Sequence, residues 1–163
     1  MTERLEQQAG ALHHIVTELV KQYQFRDRQA ICCHGISVSQ YYALATLDES
    51  GKLSMGDLAK HLYLTVSTMT RIIDQLVARN LVHRWADPDD HRVCHVEFTE
   101  QGRSLLEKIG GELLETEKEI LSKIKPQDRE TLIFALKELA KAVDQWMAKG
   151  RRHCVWSVST MGE

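Results

Sequence analysis

The sequence contains few prolines and few aromatic residues. Only Pro88 and Pro126 occur among 163 residues, and 6% of the residues are aromatic. Because proline interrupts helices and aromatic side chains are enriched in strands, this composition predicts a mostly helical chain. The hydrophobic content of 43% is sufficient for a core, and the length suits one domain or a small domain with extensions.

A long apolar run is also missing. No segment approaches the length that spans a membrane, and no apolar stretch follows the first residues as a signal peptide would require. We therefore expect a cytoplasmic protein without a membrane partner. In that compartment the four cysteines should be reduced thiols and not a structural disulfide framework.

Enzyme motifs and a strong charge bias are absent as well. The sequence has no glycine-rich phosphate loop, no nucleophile elbow and no metal-hydrolase spacing, so we expect no enzymatic activity and no required cofactor. The net charge of −2 is not that of a non-specific nucleic-acid-binding protein. Residues 54–86 carry four Lys or Arg against two Asp, which permits DNA binding without indicating it.

Two short helices joined by a tight turn are predicted between residues 54 and 78. Apolar residues recur at i, i+3, i+4 and i+7 in each, first from Met55 to Leu62 and then from Met69 to Leu76. The connection over residues 63–65 has the length expected of a helix-turn-helix. The outward face of the second helix carries side chains that can reach phosphates and base edges, namely Ser67, Thr68, Thr70, Arg71 and Gln75.

A β-hairpin is predicted directly after the second helix. Residues 81–85 and 93–98 have the pattern of strands, and the polar segment 87–92 between them is rich in turn-forming residues. A hairpin in this position makes the unit a winged helix. For Ser67 and Thr68 alone, ordinary helix capping would be an equally good interpretation, and the wing favours DNA binding.

These motifs resemble those of the MarR family of bacterial transcriptional regulators. The resemblance is carried by L-A-K-H-L-Y-L-T-V-S-T-M-T-R, N-L-V-H-R, D-P-D-D-H-R-V and F-T-E-Q-G. It implies a mostly α fold with a small β-hairpin wing, in which long N- and C-terminal dimerisation helices flank the winged helix-turn-helix. The implied segments are residues 1–35 (dimerisation helix and junction), 36–103 (DNA-binding domain), 104–149 (dimerisation helices) and 150–163 (mobile tail).

The expected partners are a second copy of the chain and double-stranded DNA. The flanking helices carry apolar stripes that a small winged domain is too short to cover, and packing against a second copy would bury them. A two-fold dimer presents two recognition helices, so it reads a near-palindromic site. The resemblance further implies a repressor that a small effector releases by binding near the junction of the dimerisation helices and the winged domain.

The resemblance assigns two further positions to DNA. Arg92 lies near the wing tip, where the family inserts an arginine into the minor groove, and a narrow A·T-rich groove attracts arginine. Val66 stands where the family often has a polar residue, so we expect it to contact a thymine methyl group. Tyr63 departs from the family pattern, because the turn commonly has glycine there and a positive φ would strain tyrosine.

The triplet Cys32-Cys33-His34 has three interpretations. Cys32 and Cys33 can be small buried hydrophobic residues, or thiol sensors of oxidants or a soft metalloid such as arsenite, with Cys94 as a further candidate. A zinc site using Cys33 or His34 is the third, without support from C-x-x-C spacing.

Two other expectations concern function and shape. A winged helix that binds proteins and does not read DNA is the alternative function, and the polar recognition face argues against it. Gly110-Gly111 interrupts the predicted helix after Thr99, and a bend or a close helix crossing would explain this pair.

Overall fold

A computed structural model of the protein describes residues 2–88 and 94–150. The elements in these residues are α1 (Thr2–Cys32), α2 (Val38–Ser50), β1 (Leu53–Ser54), α3 (Met55–His61), α4 (Val66–Ala78), β2 (Val82–Ala86), β3 (Cys94–Phe98), α5 (Glu100–Ser122) and α6 (Pro126–Gly150). The predicted fold of a winged helix-turn-helix between long helices is confirmed. None of the helices in these residues is both long and apolar enough to cross a membrane.

The wing sheet has one more strand than the sequence predicted. The short strand β1 pairs antiparallel with β3, where Leu53 lies opposite Val96, and β2 pairs with the other edge of β3, giving the order β1-β3-β2. This strand could not be predicted from the sequence, because two residues are too few to show an alternating pattern. The extra strand joins the wing to the start of the helix-turn-helix.

The core lies between the helix-turn-helix, α2, the sheet and the beginning of α5. The apolar periods predicted for α3 and α4 are almost entirely buried, and Leu62 is the half-buried exception. They pack in one cluster with α2 and with strand residues such as Val96. Burial of each large aliphatic side chain contributes about 1.5–3 kcal/mol. This cluster fixes α4 against the wing.

Polar side chains cap the first turns of α2, α3 and α5. Ser54 accepts a hydrogen bond from the Asp57 amide at 3.1 Å, Ser37 accepts from the Gln40 amide at 3.2 Å, and Thr99 accepts from the Gly102 amide at 3.0 Å. Each bond satisfies an amide that has no partner within the helix. These contacts define the ends of the helices around the predicted DNA-binding domain.

The two backbone expectations have different outcomes. Tyr63 has a φ of 55°, so the predicted left-handed conformation in the turn is confirmed. α5 continues through Gly110 and Gly111, and a Cβ at either position would meet nothing within 4 Å among the described residues. No helix of the described chain crosses closely at this pair, and the bend near Gly110 stays a prediction.

The chain divides into two compact units, residues 1–115 and 116–163. The first contains α1 to α4, the sheet and most of α5. The second contains the end of α5 and α6, and its described side chains include exposed apolar groups such as Phe134 and Trp146, which are 66% and 73% exposed. In the first unit, α1 exposes Leu5 and Ile15 in the same way.

Candidate nucleic-acid interface

Helix α4 has one buried and one exposed face. Met69 and Ile73 have no exposed surface, whereas Val66 is 53% exposed and Ser67 is exposed beside it. Thr65 precedes the helix and its hydroxyl accepts a hydrogen bond from the Thr68 amide at 3.2 Å. The local sequence therefore starts the helix at a defined residue and directs short side chains outward from its first turn.

The predicted contact residues of the first two turns remain together in the structure. Ser67, Thr68 and Arg71 are exposed, and Thr70 is half-buried with its hydroxyl donating to the Val66 carbonyl at 2.8 Å. Within residues 2–88 and 94–150, no hydrogen bond or ion pair involves the side chains of Ser67 and Arg71. Their donors are thus available to a ligand.

Gln75, one helical turn beyond Arg71, already has a protein partner. Gln40 is a buried residue on α2, and its side-chain Nε2 donates to the side-chain Oε1 of Gln75 at 2.8 Å. The Gln75 side chain is exposed but is held by α2. Its predicted role as a DNA contact competes with this bond.

Arg84 on β2 belongs to the same surface, although the sequence analysis counted it only toward the local charge. Its guanidinium lies 2.6 Å from the Asp74 carboxylate of α4. Arg84 and Cys94 also line a cavity of about 460 Å³, together with Val66 and Thr70 of α4. Strand alternation was the available signal, because Arg84 follows the buried Val82 by two residues and so shares its sheet face.

The wing base contains a stacked cluster. His95 on β3 lies 2.7 Å from the Asp87 carboxylate, and the Trp85 ring packs on the imidazole with centroids 4.8 Å apart. The Lys52 ammonium lies 3.7 Å above the Trp85 ring, which is a cation–π distance. Arg92, predicted at the wing tip, lies outside the described residues.

The junction between α1 and α2 contains the cysteine–histidine triplet. Cys32 and Cys33 are both exposed, and the Cys33 thiol donates to the Gln29 carbonyl at 3.1 Å, so their interpretation as buried hydrophobic residues is wrong. Ile31 is the buried residue at this position. Among residues 2–88 and 94–150 no three metal-binding side chains cluster, and His34 pairs with Glu112 of α5 at 2.8 Å.

A cavity of about 700 Å³ lies between α1 and α2. Its lining residues are Val20, Lys21, Tyr23, Gln24, Phe25, Asp27, Arg28, Val38 and Tyr42. The Tyr42 hydroxyl donates to the buried Asp27 carboxylate at 3.0 Å. Burial, and then the hydrogen bond to Asp27, raise the pKa of Tyr42 above its ordinary value, so the hydroxyl remains a donor at neutral pH. The cavity therefore combines aromatic walls with polar groups.

Comparison with known proteins places these features in one family. The model of the MarR family matches residues 36–94. The HTH-type transcriptional regulator YdgJ of Bacillus subtilis is 30% identical over 112 residues, which cover 69% of this chain and 68% of YdgJ. The HTH-type transcriptional repressor NicR of Pseudomonas putida is 29% identical over 96 residues, or 59% of this chain and 61% of NicR.

Solved structures share the fold. A MarR family protein from Bacillus stearothermophilus has a TM-score of 0.78 at 22% identity and covers 85% of this chain and 97% of its own. A mutant of E. coli MarR complexed with operator DNA has a TM-score of 0.65 at 22% identity, with coverage of 77% and 91%. BpsR of Bordetella bronchiseptica has a TM-score of 0.69 at 22% identity and covers 80% of this chain and 98% of its own. The DNA binding of BpsR is regulated by 6-hydroxynicotinic acid.

Proposed function

The chain belongs to the MarR family of transcriptional regulators, and we propose that it is a homodimeric repressor of a near-palindromic DNA site, released by a small effector or a thiol-directed signal. The exposed first two turns of α4 carry this proposal. They present Ser67, Thr68 and Arg71 on a helix whose opposite face is fixed in the core. A rigid helix with outward donors is what entry into a major groove requires.

The residues of this surface have different roles. Arg71 recognises base edges or phosphate through its forked donors, and Val66 contacts a thymine methyl group. Ser67, Thr68 and Thr70 bind phosphates or base edges, with Gln75 at the end of the surface and Arg92 in the minor groove. Charge supports this arrangement, because the Arg84–Asp74 pair leaves Arg71 as the cation at the exposed face of α4.

Dimerisation follows from the apolar surface of the terminal helices. Leu5 and Ile15 on α1 are 66% and 55% exposed, and Phe134 and Trp146 on α6 are 66% and 73% exposed. Several large apolar side chains exposed along one helix are typical of an interface in a folded protein. In solution the particle should have twice the chain mass of 18.7 kDa at micromolar concentration by analytical ultracentrifugation. A particle of single-chain mass that still binds DNA would contradict this part.

The cavity between α1 and α2 is the proposed effector site. Its aromatic walls and its Lys21 and Arg28 cations suit a small aromatic acid. Such a ligand should raise the melting temperature by mass action, with 6-hydroxynicotinic acid and related aromatic acids as probes. Val38→Trp, which fills the cavity, should abolish the shift, and a shift that Val38→Trp leaves unchanged would place binding elsewhere.

The thiols offer the second route to release. Cys32 and Cys33 are exposed and Cys94 is half-buried, so reagents should reach the first two faster. If thiols carry the signal, N-ethylmaleimide, an oxidant or arsenite should abolish DNA binding of the parent protein and not of a Cys32→Ser, Cys33→Ser variant. Binding that survives all three treatments would remove the thiol route.

The function itself is tested by measuring DNA affinity. Fluorescence anisotropy with DNA from upstream of its own gene should give specific binding, and Arg71→Ala should weaken it by roughly 5- to 150-fold, since a forked contact is worth about 1–3 kcal/mol. Arg4→Ala is the matched control, because Arg4 is also exposed but lies on α1, outside the winged domain. Equal effects of the two substitutions would overturn the assignment of α4.

A further inference from the structure

We propose that Arg79 is a positioning residue that sets the orientation of the recognition helix by attaching its C-terminal end to the junction segment, defined as residues 34–40. This inference rests on the proposed function and goes beyond it, because Arg79 acts without touching DNA. Helix α4 starts at Val66 and spans roughly 20 Å, so Arg79 lies a helix length away from the first turn that enters the groove.

Among the described residues, the hydrogen bonds of the Arg79 guanidinium go to the junction segment. Nη1 donates to the Gly35 carbonyl, and Nη2 lies 3.4 Å from the His34 carbonyl. An arginine at a helix end often stabilises the carbonyls of its own last turn. Here the forked donors bind carbonyls more than forty residues away in sequence, so they join two elements.

Gly35 lies against the Arg79 guanidinium. Its φ is +73°, and a Cβ at this position would lie 3.2 Å from Arg79 Nη2. A side chain at residue 35 would be strained and would also press on the guanidinium. The absence of a side chain at Gly35 therefore lets the guanidinium approach the junction backbone closely.

The junction segment is connected to other helices as well. Gln40 donates to Gln75, which gives α4 a second attachment to the same segment, and His34 pairs with Glu112 of α5. Val38, between these residues, lines the cavity that we assign to the effector. A movement of this segment would consequently reach α4 through two contacts, of which Arg79 makes the one at the helix end.

The test compares specific with non-specific DNA binding. The specific duplex is the one that the unaltered protein enriches from a random pool, and the non-specific duplex has the same bases in scrambled order. Arg79→Ala should weaken specific binding about tenfold, leave non-specific binding unchanged, and leave the slope of log K against log salt unchanged. Arg79→Lys, which keeps the charge without the fork, should recover only part of the loss.

Other roles predict other results. If Arg79 contacted a phosphate, Arg79→Ala would weaken binding to both duplexes and would lower the slope of log K against log salt by about 0.9. If Arg79 only maintained the fold, Arg79→Ala would lower the fraction of protein that binds DNA, measured by stoichiometric titration. The ratio of specific to non-specific affinity would then be unchanged. Either result would overturn the inference. Failure of the unaltered protein to enrich any duplex would overturn the proposed function together with it.

Glycine variants provide a second, independent measurement. Gly35→Ala should lower the affinity ratio as Arg79→Ala does, and the double variant should show no further loss. Gly51→Ala is the control, because Gly51 has a similar φ of +71° but a Cβ there meets nothing within 4 Å among the described residues. Gly51→Ala should cost stability and leave the affinity ratio unchanged. Fully additive effects of Gly35→Ala and Arg79→Ala would contradict a shared contact.

Discussion

Replacing Gly102 with alanine should destabilise the protein, although alanine is the better helix former. Gly102 is buried in the first turn of α5. A Cβ at this position would overlap the Leu81 carbonyl oxygen and would lie 2.8 Å from its carbonyl carbon, closer than real Cβ atoms approach. The obstacle is backbone, and the same carbonyl also accepts the Thr99 amide at 3.2 Å, so neither side can yield without moving the start of β2.

The magnitude follows from two opposing effects. Glycine to alanine within a helix gains up to about 1 kcal/mol, whereas forcing an extra methyl group into a packed site costs about 1–3 kcal/mol. Because backbone is the obstacle, the cost should lie at the upper end, and the net loss should be about 1–2 kcal/mol. Gly111→Ala is the matched variant, since Gly111 is exposed on the same helix and a Cβ there meets nothing within 4 Å among the described residues.

The stability of both variants is measured by urea unfolding, followed by circular dichroism. The protein concentration must be the same throughout, because the apparent stability of an oligomer depends on it. Gly102→Ala should shift the midpoint to lower urea, and Gly111→Ala should leave it unchanged or raise it. If the two substitutions stabilise the protein equally, the close packing of α5 on the Leu81 backbone before β2 is refuted.

Three further predictions concern single side chains. Tyr63→Gly should raise stability by about 1 kcal/mol in thermal unfolding by relieving the positive φ, and a loss would mean that contacts of the ring outweigh the strain. Burial and the hydrogen bond to Asp27 raise the pKa of Tyr42, which contributes stability that is present below pH 10.0 and lost as the pH rises through the folded value. Tyr42→Phe should therefore flatten this alkaline decline, and parallel curves would contradict the raised pKa. Thr65→Ala should cost about 1 kcal/mol in urea unfolding, because the Thr68 amide loses its partner, and unchanged stability would show that water replaces the cap.

Much of the winged domain could be predicted from sequence because its signals are local. Apolar periodicity located α3 and α4, and the pattern of strands around a polar turn located the hairpin. The left-handed turn at Tyr63 was expected from the glycine usual in the family. Such features depend on neighbouring residues, and a sequence displays neighbours directly.

The features that escaped prediction depend on residues far apart in sequence. The pairing of β1 with β3, the Arg84–Asp74 ion pair and the attachment of Arg79 to Gly35 each join separate elements. The exposure of Cys32 and Cys33 also depends on what packs over the end of α1, because a helix junction can bury or expose the same residues. Arg92 remains a prediction, since it lies outside the described residues.

Selection of duplexes from a random DNA pool by the full chain tests the central claim most directly. A two-fold dimer with α4 in the major groove predicts enrichment of an inverted repeat whose half-site centres lie about one helical turn, or roughly 10 base pairs, apart. Arg71→Ala should relax the preference at a symmetric pair of positions within that repeat. A pool that stays random after several rounds, or an enriched sequence without two-fold symmetry, would contradict the claim.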